Sequence, residues 1–95
     1  MRSMTSILLA ACRAFSVEPD AVLSPGGVPR QTLADARSIA AYYCREEGYS
    51  QIDIAREFGW SPQRVHFNLK RTDKNKRSRA TRDKLYQVKQ HLPEI

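Results

Sequence analysis

Ninety-five residues suffice for one small domain with a single modest core, so no second domain is expected. A formal net charge of +6 favours an acidic partner, nucleic acid or an anionic membrane surface. Membrane use is not expected, because no apolar run is long enough to span a bilayer and no basic amphipathic stretch has a bulky apolar face.

Apolar residues recur at helical rather than alternating spacing, and nothing reads as a β-hairpin, so the expected class is all-α, a compact helical domain of five to six helices. The first helix is expected over 5–15, with Ile7, Leu8, Ala11, Cys12 and Phe15 on one face and Arg13 on the wet side. Leu9-Ala10-Ala11-Cys12 also matches the cleavage motif of bacterial lipoproteins behind the basic Arg2. The apolar run 7–12 is shorter than the roughly 7–15-residue core of a secretory signal, and Arg13 follows at once, so the segment reads as core. Cys12 and Cys44 lie far apart without a CxxC or Cys/His cluster, which argues for buried free thiols rather than a zinc site or a disulfide framework.

Residues 18–23 read as a single helical turn with Pro19 near its first position, Val22 and Leu23 inward and Ser24 ending it. Two prolines and two glycines make 25–30 a loop. Thr32 with Asp35 resembles a helix start, and Leu33, Ala36, Ile39, Ala40, Tyr43 and Cys44 form the broad stripe of a central helix that stops at Glu47-Gly48. The stretch 50–71, SQIDIAREFGWSPQRVHFNLKR, reads as a helix-turn-helix. Ser50 and Asp53 form a capping-box-like start, and Ile52, Ile54, Ala55 and Phe58 an apolar stripe; Gly59 ends the first helix. Ser61 is the N-cap of the second, Pro62 its first residue, and Val65 and Leu69 its inward face. A small Ala55, a turn Gly59 and an inward Val65 have the offsets that close packing of this motif requires. The run 72–77 lacks apolar periodicity and is expected to be a basic loop, followed by a helix over 78–92 with Leu85, Val88 and Leu92 inward, Arg79, Arg82 and Lys89 outward, and Pro93 as its stop. No internal repeat or low-complexity tract is present.

Charge separates the two halves. Residues 59–95 carry ten Lys or Arg against three acids, a net of +7, whereas the first 58 carry six against seven, a net of −1. The excess lies on or beyond the second helix of the pair, where a polyanion would sit if that helix entered a DNA groove. The candidate DNA-binding residues are therefore Ser61, Gln63, Arg64, Phe67, Asn68, Lys70, Arg71, Lys74, Lys76 and Arg77. Gln63, Arg64, Phe67 and Asn68 are expected on the face opposite Val65 and Leu69. There Arg suits guanine O6/N7, Gln or Asn suits adenine N6/N7, and Phe67 suits a thymine methyl. Arg64 and Lys70 have phosphate contact as their plainer role, Phe67 a place in the core or a dimer interface, and Trp60 that of a packing anchor.

Isolated His66 and His91 suggest no metal, and Glu46-Glu47 reads as a solvated pair at a helix end. Tyr42, Tyr43 and Tyr49 read as core and rim aromatics, and neither an enzyme nor a cofactor is expected.

In the order of its segments the chain resembles the C-terminal DNA-binding domain of the bacterial replication initiator DnaA. The likeness is carried by Leu23-Ser24 closing the opening helices and by Arg37-Ser38-Ile39-Ala40-Ala41-Tyr42-Tyr43 against the family's Arg-Gln-Ile-Ala-Met-Tyr-Leu. Ile54-Ala55-Arg56-Glu57-Phe58-Gly59 stands against its Ile-Gly-x-x-Phe-Gly. The resemblance implies a helical domain with a helix-turn-helix like that of the tryptophan repressor. It also implies sequence-specific binding of double-stranded DNA by a small transcription or replication regulator in the cytoplasm, on the nucleoid. The departures fall at the family's reading residues. Gly59-Trp60-Ser61-Pro62-Gln63-Arg64-Val65 is one residue shorter than the family's Gly-Gly-Arg-Asp-His-Thr-Thr-Val, and 25–30 keeps only Arg30 of its Arg-rich loop. No glycine-rich phosphate loop is present, so ATP-dependent initiation is not expected of this chain. A protein-interaction module and RNA binding are the rival expectations, with few aromatic platforms near the charge for the latter, and a homodimer or a protein partner is left open.

Overall fold

Four serines start four of the helices. Ser3, Ser50, Ser61 and Ser78 are extended residues whose hydroxyls accept from the backbone N–H groups of Ser6, Asp53, Arg64 and Thr81, each cap contributing about 1 kcal/mol. The computed structural model describes residues 2–23 and 31–93, and among these it contains six helices and no strand. They are α1 (Met4–Phe15), α2 (Pro19–Leu23), α3 (Gln31–Glu47), α4 (Gln51–Phe58), α5 (Pro62–Asn75) and α6 (Arg79–His91). The expected loop at 25–30, with Arg30, and Ser24 before it lie outside the described residues.

The central helix is α3, which packs against α1, α2, α4 and α5, while α6 covers α1. Its buried Leu33, Ala36, Ile39, Ala40, Ala41 and Cys44 meet Ile7, Leu8, Ala11 and Cys12 of α1 and Val65 of α5 in one cluster. The alanines let neighbouring helices approach closely, which a 95-residue chain needs to close a core with few large side chains. The helix over 7–12 thus stands as core, and both cysteines are free, buried thiols. Burial pushes the Cys44 thiol up to about 12, with Glu47 and Glu57 adding to the shift.

Arg37 fastens α2 to α3. It is buried, and its Nε donates to the Val22 carbonyl at 2.7 Å and its Nη2 to that of Ala21 at 3.0 Å, groups that a five-residue helix leaves without helical partners. The tyrosines tie edges together. Tyr43 donates to the Leu85 carbonyl of α6 at 2.6 Å, Tyr49 donates to the Arg2 carbonyl at 2.7 Å, and Tyr42 packs edge-on against Tyr43.

The helix boundaries and several side-chain placements depart from expectation. Thr32 lies inside α3, which begins at Gln31, and Asp35 faces Arg71 and Lys84 rather than serving a helix start. Ile52 is 59% exposed: two residues turn a helix by about 200°, so it cannot share the inward face of Ile54. The stretch 72–75 is helix, not loop, because Thr72 is buried and its hydroxyl donates to the Ser38 carbonyl at 3.1 Å. Only Lys76, Arg77 and Ser78 form the turn before α6, and Leu92 is the C-cap of that helix rather than part of it. Glu47 is not part of a solvated pair, since Arg2 donates to it from its backbone N–H at 2.8 Å and from its guanidinium at 3.2 Å. These bonds hold the Glu47 carboxyl below its ordinary range.

Candidate nucleic-acid interface

The helix pair is set by local chemistry. The Ser50 hydroxyl accepts from Asp53 N–H at 3.1 Å and the Asp53 carboxylate accepts from Ser50 N–H at 3.3 Å, a complete capping box. Gly59 closes α4 with φ +70, and the Trp60 N–H reaches back to the Ala55 carbonyl at 2.9 Å. Trp60 is buried beside Phe58, ring centres 5.0 Å apart, which fixes the turn from below; among the described residues its indole N–H has no partner. Pro62 then starts α5 one residue after its cap.

On α5 the inward stripe is Val65, Asn68 and Thr72, with Leu69 at its edge. Asn68 is therefore corrected as a groove-facing reader. It is 6% exposed, its amide nitrogen donates to the Arg64 carbonyl at 3.0 Å, and its oxygen faces the Ser38 hydroxyl at 3.2 Å. That hydroxyl also lies 2.9 Å from the Ala34 carbonyl, so its one hydrogen serves two acceptors. Ser38, Asn68 and Thr72 form a polar seam between α3 and α5. The signal in the sequence is the spacing of Asn68 and Thr72 from Val65, three residues and then four, hidden by their polarity.

The outward stripe is Gln63, Phe67, Lys70 and Lys74, at steps of four, three and four residues, all exposed and on one face. From Gln63 to Lys74 the helix advances about 16 Å, enough to cross a major groove about 12 Å wide. His66 is exposed on the same side. Arg64 is corrected as well: it does not share the face of Gln63 and Phe67 but sits, with Arg71, half-buried on the flank toward α3, because it is only one residue from the inward Val65. Burial and the neighbouring Arg64 charge both lower the Arg37 pKa, so the two guanidinium groups share one electrostatic neighbourhood. The Ser61 hydroxyl oxygen is occupied by the cap, leaving its hydrogen for an acceptor.

The cations differ in how firmly they are held. Arg71 donates to Asp35 at 3.0 Å and Lys84 of α6 reaches the other oxygen of that carboxylate at 2.7 Å. Lys76 pairs with Asp73 at 3.5 Å, both exposed, a pairing of little energetic weight. Among the described residues Arg64, Lys70, Lys74 and Arg77 form no ion pair. Among the described residues no group of three or more His, Cys, Asp or Glu is placed to hold a metal, and none of their helices is long and apolar enough to cross a membrane. A scan of protein-family models finds no match to the chain, and a search of curated proteins finds none either.

Proposed function

We propose that the chain binds double-stranded DNA sequence-specifically, with α5 as the recognition helix in the major groove. The observation that carries the reading is the outer face of α5. It is left uncovered by the other described helices and presents Gln63, His66, Phe67, Lys70 and Lys74 together, behind a capped and tightly turned α4. Gln63 and Arg64 occupy the first turn, the part that meets base edges when such a helix docks. Lys70 and Lys74, with Lys76 and Arg77 at the end of α5, supply phosphate contacts, and Ser61 offers its hydroxyl hydrogen to a phosphate at the helix start. The resemblance to the DnaA C-terminal domain supports a regulator of transcription or replication acting on the nucleoid, with no chemical step and no cofactor.

Selection of bound duplexes from a random pool tests this. An enriched motif is expected, and a palindrome in it would indicate a dimer. On the selected site, Arg64→Ala should cost about 1–3 kcal/mol and much less on random duplex. Neutralising Lys74, Lys76 and Arg77 together should weaken both duplexes alike and flatten the salt dependence, whose log–log slope scales at about −0.9 per phosphate neutralised. Equal losses on the two duplexes for Arg64→Ala would reassign that residue to the backbone. Binding without salt dependence would end the nucleic-acid reading in favour of a protein partner, for which the exposed Ile52, Phe67 and Tyr86 are the observation in hand.

A further inference from the structure

One side chain on the outer face of α5 has no use in holding phosphates. Phe67 is 68% exposed and contributes nothing to the core, yet it stands at the middle of the stripe that Gln63 begins and Lys74 ends. It lines two shallow concavities, one shared with Ala34, Arg64 and Arg71 and the other with Lys70, Arg71, Lys74 and Asn75. The ring is thus apolar surface within a frame of four cations, Arg64, Lys70, Arg71 and Lys74.

That frame selects the occupant. A second copy of the same face would bring these four cations against their own counterparts, and like-charge juxtaposition across an interface is strongly unfavourable. A bilayer needs a broad apolar face, and this helix side offers one ring. A duplex presents rows of phosphates on either side of a groove, and the apolar group on the floor of its major groove is the C5-methyl of thymine. We propose that Phe67 is a specificity residue that recognises thymine through this methyl group. The assignment rests on the duplex-binding reading above and deepens it.

Register agrees with the assignment. Phe67 follows Gln63 by four residues, an advance of about 6 Å along the helix. Bases on one strand are spaced by about 3.4 Å, so the ring falls one or two base pairs beyond the pair under Gln63. With Asn68 withdrawn into the core, the outward face reads with Gln63 and Phe67, and Arg64 reaches in from the flank, three chemistries suited respectively to adenine, thymine and guanine.

The test is replacement of each thymine of the selected duplex by deoxyuridine, one at a time, which removes the methyl and keeps every hydrogen-bonding group. Competition binding is measured for the wild-type chain, Phe67→Ala and Phe67→Leu. At one position the wild type should lose about fourfold in affinity, the worth of one buried methyl. Phe67→Ala should bind that duplex and its parent equally, and Phe67→Leu should keep part of the discrimination. Thermal midpoints should not move, because the side chain is exposed. The proposal is overturned if no single deoxyuridine weakens the wild type, or if Phe67→Ala stays as methyl-sensitive as the wild type. It is also overturned if thymine discrimination is absent while Phe67→Ala abolishes self-association, which would make the occupant a second copy. Failure to bind any duplex at low salt would instead remove the duplex reading itself.

Discussion

Asp35 accepts a hydrogen bond from Arg71 across the α3–α5 boundary at 3.0 Å, so an acidic side chain is built into the flank of the basic face. Its second oxygen holds Lys84 of α6 at 2.7 Å, which makes the carboxylate the point where three helices meet. Arg71 is thereby held in one geometry beside Phe67, unlike the unpaired Lys70 and Lys74.

Removing Asp35 has opposite consequences on two accounts. By charge alone, Asp35→Asn should tighten binding to any polyanion. If Asp35 orients Arg71, the selected duplex should weaken by about 1 kcal/mol while random duplex stays the same or tightens. Competition binding on both duplexes decides, and tightening on both would leave Asp35 a charge and nothing more.

The polar seam makes a stability claim. Asn68→Ala strips a partner from the Ser38 hydroxyl and from the Arg64 carbonyl. It should cost about 1–3 kcal/mol by urea denaturation, whereas Gln63→Ala, exposed five residues earlier, should leave the midpoint in place. Equal midpoints for the two variants would mean that Asn68 is not held between α3 and α5.

Gly59 isolates a backbone effect. Its φ is +70, and nothing lies within 4 Å of where a Cβ would stand. Gly59→Ala should therefore cost about 1–2 kcal/mol from conformation alone, and Gly59→Asn less, because Asn tolerates the left-handed region. A larger loss for Asn than for Ala in thermal melts would contradict a purely conformational cost.

One buried and one half-buried group bear on alkaline stability. Burial pushes both the Cys44 thiol and the Tyr43 hydroxyl up to about 12, from ordinary values of 9.0 and 10.0. The unfolded chain releases these protons first, so the stability they confer is complete below about pH 9 and lost as pH rises toward 12. Urea midpoints should fall between about pH 8 and about pH 11, and less steeply in Cys44→Ala. Stability that stays flat over that window would show that the two groups ionise as freely in the folded state as in the unfolded chain.

Much of the frame was legible in the sequence because it depends on local chemistry. Ser50, Ser61, Gly59 and Pro62 mark the ends of α4 and α5 through bonds spanning three to five residues, and such signals act wherever the segment is placed. Ile7, Ala11 and Cys12, like Ala36, Ile39, Ala40 and Cys44, announce their buried faces by helical spacing, since apolar groups need only a common side to be buried together. The division of charge at residue 59 is likewise a property of the chain alone.

What the sequence left open is where a polar side chain finds its partner. Polarity alone suggests an outward base reader in Asn68 and a loop at Thr72. They are inside because α3 brings Ser38 opposite them, thirty and thirty-four residues away in the chain, to satisfy groups that burial would otherwise strand. Asp35 resembles part of a helix start in the sequence, and it is an anchor for Arg71 and Lys84 only because α5 and α6 converge on α3. Apolar burial is non-directional and follows from periodicity, whereas a hydrogen bond or ion pair needs a particular atom at a particular distance. The sequence by itself therefore determined the helices, their core faces and the basic half. Tertiary packing alone decided that Asn68 is withdrawn, that Arg71 is held, and that Gln63, Phe67, Lys70 and Lys74 remain to meet a partner.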